Sequence, residues 1–109
     1  MKPIVFLGDS LNDLRAFSER ARRDAGFQLD RVQRGLDPED WKQMPTIGPG
    51  VREIRVRDAA GAFRVIYIAT LAEAVYVLNA FGKKTQRTSQ RDMTLAQLRL
   101  RALKRGGGS

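Results

Sequence analysis

The chain has 109 residues, room for one small domain with one core. It contains no cysteine and no histidine, which excludes disulfide scaffolds, thiolate metal sites, thiol nucleophiles and imidazole proton transfer. The formal net charge is +8, but residues 1–50 balance eight Lys and Arg against eight Asp and Glu while residues 51–109 carry twelve against four, so the whole excess lies in the second half.

Residues 2–6 (KPIVF) form a short apolar run fit for a strand, and GDS follows as a break able to cap a helix through Ser10 or Asp9. A helix is expected from about residue 10, with Leu11, Leu14, Phe17 and Ala21 on one apolar stripe. Gly26 is expected to stop or bend it, and Phe27, Leu29 and Val32 suggest a second short helix ending at Gly35. The stretch LDPEDWKQMPTIGPG reads as a long connection pinned to the core by Trp41.

From Val51 the period changes to two. VREIRVR, then DAAG, then FRVIYIAT give a hairpin signature, and AVYVLNAF at 74–81 completes an antiparallel meander. FGKKTQRT leaves it as a basic loop, and Ser89 with Asp92 caps a helix over about 90–105 with Leu95, Leu98, Ala102 and Leu103 inward and Arg91, Arg99 and Lys104 exposed. The closing GGGS lacks packing material and reads as a flexible tail, residues 106–109, of the kind added as an expression linker. Residues 1–105 then form a single domain. No run approaches the roughly 20 apolar residues of a membrane span, and the acid in MKPIVFLGDS argues against a secretory signal, so the expected address is the cytoplasm, with no membrane partner.

A hairpin pairing Arg57 with Arg64 around Gly61 sends Arg55, Arg57 and Arg64 to one sheet face and Ile54, Val56, Val65 and Tyr67 to the other. One face is then cationic and the opposite one oily. Basic residues gathered this way read as a polyanion-binding surface, because neutralised phosphates release counterions. The plainer reading is an ordinary polar-out sheet face.

The ordered set GPGVREIRVRDAAGAFRVIYIA, VYVLNAFGKKTQRT and a capped C-terminal helix, with LGDSLNDLRAF and VQRGLDPEDWK upstream, resembles the phage-derived, HigB-like branch of the RelE/ParE superfamily of bacterial toxins. The resemblance covers residues 2–105. It implies an α+β fold, with N-terminal helices and a C-terminal helix packed on a small antiparallel β-sheet. It further implies the toxin of a type II toxin-antitoxin system, an endoribonuclease acting on mRNA at the ribosome and arresting growth. A HigA-like helix-turn-helix antitoxin would neutralise it. By the same resemblance Arg55 and Arg57 match strand positions that contact the RNA backbone, Arg64 matches the arginine at the scissile phosphate, and Lys84, beside Lys83, matches the basic residue near the leaving group. The chain departs from relatives that carry a tyrosine or histidine near the C-terminus, having no tyrosine after Tyr76.

The chemistry is consistent with those roles. Metal-independent RNA cleavage by the 2′-OH needs in-line geometry, charge stabilisation at phosphorus and help with two protons. Arginine clamps phosphate but stays protonated, whereas a lysine among cations can release a proton. Arg55, Arg64, Lys83 and Lys84 are therefore the catalytic candidates, with Arg57, Arg87 and Arg91 as further RNA-binding candidates. Tyr67, if not buried, and Glu53, if not a simple ion-pair partner, are other proton-transfer options. No cofactor and no metal are implied: Asp37, Glu39 and Asp40 crowd a Pro-rich loop without a histidine, and GPG at 48–50 lacks the spacing of a phosphate loop. A ParE-like toxin that binds DNA gyrase without cutting RNA is the alternative, favoured by the missing proton-transfer residues.

Overall fold

The computed structural model describes residues 1–83 and 87–106. Strand β1 (Ile4–Phe6) leads into helix α1 (Ser10–Arg15) and helix α2 (Glu19–Gln33), followed by β2 (Trp41–Gln43), β3 (Val51–Asp58), β4 (Gly61–Ile68), β5 (Val75–Lys83) and helix α3 (Gln90–Lys104). They form one five-stranded sheet in the order β1-β5-β4-β3-β2. The β3-β4-β5 meander is antiparallel as expected, while β1 pairs with β5 in parallel, making the sheet mixed.

The sheet is covered on both faces. On one, Ile54, Val56, Val65 and Tyr67 pack against Leu14 and Phe17 and against the α2 stripe of Ala21, Ala25, Leu29 and Val32. On the other, Val51, Ile66, Ile68, Tyr76 and Leu78 pack against Ala96, Leu100 and Leu103 of α3 and against Met44 and Ile47 of the preceding loop. Only the part of this second face beyond α3 is left for charged side chains. The expected division into one cationic and one oily face is corrected accordingly.

Several local expectations change for physical reasons. The chain breaks after α1 at Ala16–Ser18, where Ser18 caps α2 by accepting the Ala21 N–H at 3.3 Å, and α2 then runs straight through Gly26. A helical glycine costs about 1 kcal/mol relative to alanine, less than the burial gained by Ala25, Leu29 and Val32 around it. Phe27 lies off that stripe and is 54% exposed. Neither proposed α1 cap makes a side-chain capping bond: Asp9 occupies the cap position, and the Ser10 hydroxyl donates to the Val77 carbonyl at 3.3 Å. Trp41 is not a core pin but a half-buried member of β2, with the Arg52 guanidinium 3.9 Å over its ring.

Helix α3 is capped as expected, the Ser89 hydroxyl accepting the Asp92 N–H at 3.1 Å. Its buried stripe is Ala96, Leu100 and Leu103, and Leu98 is 51% exposed. Of the residues expected inward Leu103 is buried, whereas Leu98 is not and Leu95 is only partly so, because leucines at 95, 98, 100 and 103 offer two competing stripes. Arg99, expected in solvent, instead donates to the Leu78 carbonyl at 2.9 Å and lies over Gly8. Gly8 is favoured by its φ of +55°, and an added Cβ would meet the Arg99 Nε at 2.6 Å, so the arginine would have to move off the Leu78 carbonyl to make room.

Candidate nucleic-acid interface

The site is assembled by the β3-β4-β5 register. Arg55 stands directly opposite Arg64, Arg57 opposite Ala62, and Ala62 opposite Lys83. Paired residues share a face, and i, i+2 residues of a strand share it too, so Arg55, Arg57, Arg64 and Lys83 all project from the side not covered by α2. The expected Arg57–Arg64 pairing is corrected: the turn is Ala59–Ala60, closed by the Asp58–Gly61 pair and by the Asp58 carboxylate accepting the Ala60 N–H at 2.8 Å. That is a shift of two residues, which changes partners but preserves the face.

At the centre lies Glu53, 1% exposed. Its Oε1 is 3.4 Å from the Arg64 Nε and 3.9 Å from the Arg55 Nε, and its Oε2 accepts the Thr88 hydroxyl. Neither Nε makes a hydrogen bond among the described residues, although both atoms are buried. Arg64, 6% exposed, donates Nη1 to the Phe63 carbonyl at 3.0 Å. Burial holds the Arg64 guanidinium below the ordinary arginine value; Glu53 opposes that shift and the Arg55 and Arg57 cations reinforce it. Burial likewise lowers the Lys83 ammonium, with Arg64, Arg55 and Lys42 adding to the effect against Glu53. One buried carboxylate thus serves several converging cations, and the surplus is positive.

The structure therefore brings together Arg55, Arg57, Arg64 and Lys83. Lys84 lies outside the described residues. Arg87 is exposed beyond the end of β5. Arg91 is apart from the cluster: it lines a separate recess with Asp13, Asn79, Gly82 and Asp92, between the start of α3 and the end of α1. Tyr67 is buried on the α2 face, and Glu53 is enclosed by its partners, so neither presents a polar group to a substrate on the cationic face.

Two contributors escaped the sequence reading. Lys42 reaches the same face through β2, where it stands opposite Glu53, and Thr88 anchors the carboxylate. A three-residue strand gives no usable period, and Thr88 carried no signal beyond its place in FGKKTQRT. The loop acids are spent separately: Asp37 on Arg52 at 2.9 Å, and Glu39 on the Gln28 amide at 2.6 Å. No cluster of metal-ligating side chains occurs among the described residues, and no described helix is long and apolar enough to cross a membrane.

Among solved structures, the chain is similar to a doubly substituted E. coli toxin RelE in its free state, with a TM-score of 0.62 and 18% identity over 95% of this chain and 96% of that one. The architecture is thus the RelE α+β fold. No curated protein matches the sequence. The family model described as phage derived protein Gp49-like matches residues 12–101, which take in most of α1, all of α2, the whole meander and most of α3, and the chain belongs to that family.

Proposed function

We propose that the protein is a toxin of the HigB-like kind that cleaves mRNA on the ribosome without a metal, and that a helix-turn-helix antitoxin silences it by covering the cationic face. The observation carrying this reading is the convergence of Arg55, Arg64 and Lys83 about the single buried carboxylate of Glu53, which leaves the cluster with a surplus of positive charge. Clustered guanidinium and ammonium groups suit phosphate oxygens, which accept charge-assisted bonds.

In this mechanism Arg55 and Arg64 hold the scissile phosphate and stabilise charge building on its equatorial oxygens. The RNA 2′-oxygen attacks phosphorus, its proton passes to solvent, and the bond from phosphorus to the 5′-oxygen breaks to leave a cyclic phosphate. Lys83, with its ammonium acidified by burial and neighbouring cations, donates a proton to the departing 5′-oxygen. Glu53 acts as a positioning residue, fixing both guanidinium groups without touching substrate. Arg57 and Lys42 extend the track for the RNA backbone, and Arg87 continues it from the segment after β5.

The test is to incubate purified protein with translating ribosomes and map mRNA 5′ ends. New ends in wild type that vanish in Arg64→Glu but persist in Arg23→Glu support the reading. Intact transcripts together with inhibited gyrase supercoiling would replace it with the non-cutting alternative.

A further inference from the structure

The opposite face of the sheet holds a feature that the phosphate cradle does not use. Where α2 ends beside β3 and β4, a recess of about 620 Å³ is lined by Lys2, Val32, Leu36, Arg52, Tyr67 and Ala69, among others. That size falls within the range of small-ligand sites, which combine an apolar wall with a few polar groups.

Three observations say what would fit. Tyr67 is 1% exposed, and the side chain its hydroxyl meets is the Arg52 guanidinium, itself only a donor, so the proton of the hydroxyl has no acceptor among the described residues, an uncommon state for a buried phenol. Burial pushes that phenol up from its ordinary pKa against the opposing pull of the Arg52 cation, so near neutrality it is an O–H group able to donate. Second, the charged lining is biased, with Lys2, Arg34 and Arg52 against the single acid Asp37; Arg34 is paired with Asp30 at 2.8 Å and Lys2 donates to the Ala69 and Leu71 carbonyls, which leaves Arg52 as the cation that Asp37 serves. The Arg52–Asp37 contact of 2.9 Å is solvent-exposed, with Asp37 at 65%. Exposed pairs contribute about 1 kcal/mol or less, so a competing anion can take the guanidinium over. Third, Leu36 and Met1 are among the few large apolar side chains left open to solvent, and both line this recess.

We propose that this recess binds a small monocarboxylate with an apolar body, the carboxylate held between the Arg52 guanidinium and the Tyr67 hydroxyl and the body lying against Val32, Leu36 and Ala69. Arg52 is the cross-strand neighbour of Tyr67 and is the side chain that shifts from Asp37 to admit the anion. The unused proton of the hydroxyl supplies the directional bond, and the apolar wall favours an anion with an apolar body over bare inorganic anions, which gain nothing from it. Because the recess and the cationic cluster lie on opposite sheet faces, this site stands independently of the RNA reading.

The probe is octanoate, with octanol as the uncharged control, titrated into uniformly labelled protein and followed by amide NMR. Octanoate is expected to move the Gly35, Gly50 and Ala69 amides saturably, with octanol at least about tenfold weaker. Tyr67→Phe, which keeps the ring and removes only the hydroxyl, should fold normally and weaken octanoate about tenfold. Asp37→Asn, at an exposed position, should tighten it severalfold by freeing Arg52. The site is overturned if no shift saturates by about 10 mM, if octanol binds as well as octanoate, if Tyr67→Phe leaves affinity unchanged, or if the shifts fall on the Arg64 and Lys83 amides instead.

Discussion

The carboxylate of Glu53 lies 3.4 Å from the Nε of Arg64, one strand away and one diagonal step along the sheet, and both side chains are withdrawn from water. Neither would be stable there alone. A buried carboxylate without its cations loses its only electrostatic compensation, and buried guanidinium groups without the carboxylate repel one another. Glu53→Gln keeps the shape and removes the charge, so it should destabilise the fold by roughly 3 kcal/mol in urea titrations. Added sulfate should restore the variant more than it stabilises wild type, since an external anion can then take the place of the carboxylate. Equal stabilisation of both proteins would show that Glu53 is not the counter-ion of this cluster.

The same cluster sets an expected salt dependence. Each phosphate contact to single-stranded RNA contributes about 0.7 to the slope of log affinity against log salt. Arg55→Gln and Lys83→Gln should each flatten that slope by about this amount in anisotropy measurements with a labelled oligonucleotide. Arg23→Gln should leave it unchanged, because Arg23 is exposed on α2 and bonded to Glu19 at 2.7 Å, on the far side of the sheet. A slope that falls equally in all three variants would mean diffuse attraction rather than a cradle.

Lys83 provides a pH signature with a definite sign. Its folded-state pKa is lowered, chiefly by burial, so between that value and the ordinary lysine pKa of about 10.4 the unfolded chain binds more protons than the native one. Stability must therefore gain a rising contribution with pH across that window, complete once pH exceeds the unfolded value. Lys83→Met should lack the rise in urea unfolding measured from neutral to alkaline pH. If Lys83 is the proton donor, cleavage by wild type should fall as pH climbs through the lowered pKa, opposite in direction to the stability effect. Superimposable stability profiles for the two proteins would remove Lys83 from the electrostatic cluster.

How far the sequence speaks for this fold differs from element to element. The alternation of VREIRVR and FRVIYIAT placed Arg55, Arg57 and Arg64 on one face because side-chain direction has a period of two, and the two-residue error in pairing cannot disturb it. The pairing itself was obscured by Gly61, which attracts a turn assignment, whereas the Asp58 side chain closes the turn one step earlier. β2 and Lys42 were illegible for a different reason. Three residues are held by pairing with β3 and by the stacking of Arg52 on Trp41, and these contacts exist only after folding. The role of Glu53 had the same character: its residue type showed an ion pair, but only the diagonal across β3 and β4 shows two arginines on one oxygen.

The phase of α3, which the sequence reading sets with Leu95 and Leu98 inward and the structure sets with Ala96 and Leu100 inward, gives a last, purely structural check. Leu100 is buried, and an added Cβ on Gly48 would meet its Cδ2 at 2.6 Å, so the leucine fills the space above that glycine, while Leu98 stands half in solvent. Truncating a buried leucine removes transfer energy and leaves a cavity. Leu100→Ala should therefore cost about 2–5 kcal/mol, and Leu98→Ala within about 0.5 kcal/mol of wild type, both by urea denaturation. The reverse order would rotate α3 by roughly half a turn, move Leu95 and Leu98 onto the sheet, and dislodge Arg99 from the Leu78 carbonyl. Since α3 defines the border at which the apolar half of that face gives way to Arg64 and Lys83, such a rotation would redraw the edge of the cationic cradle as well.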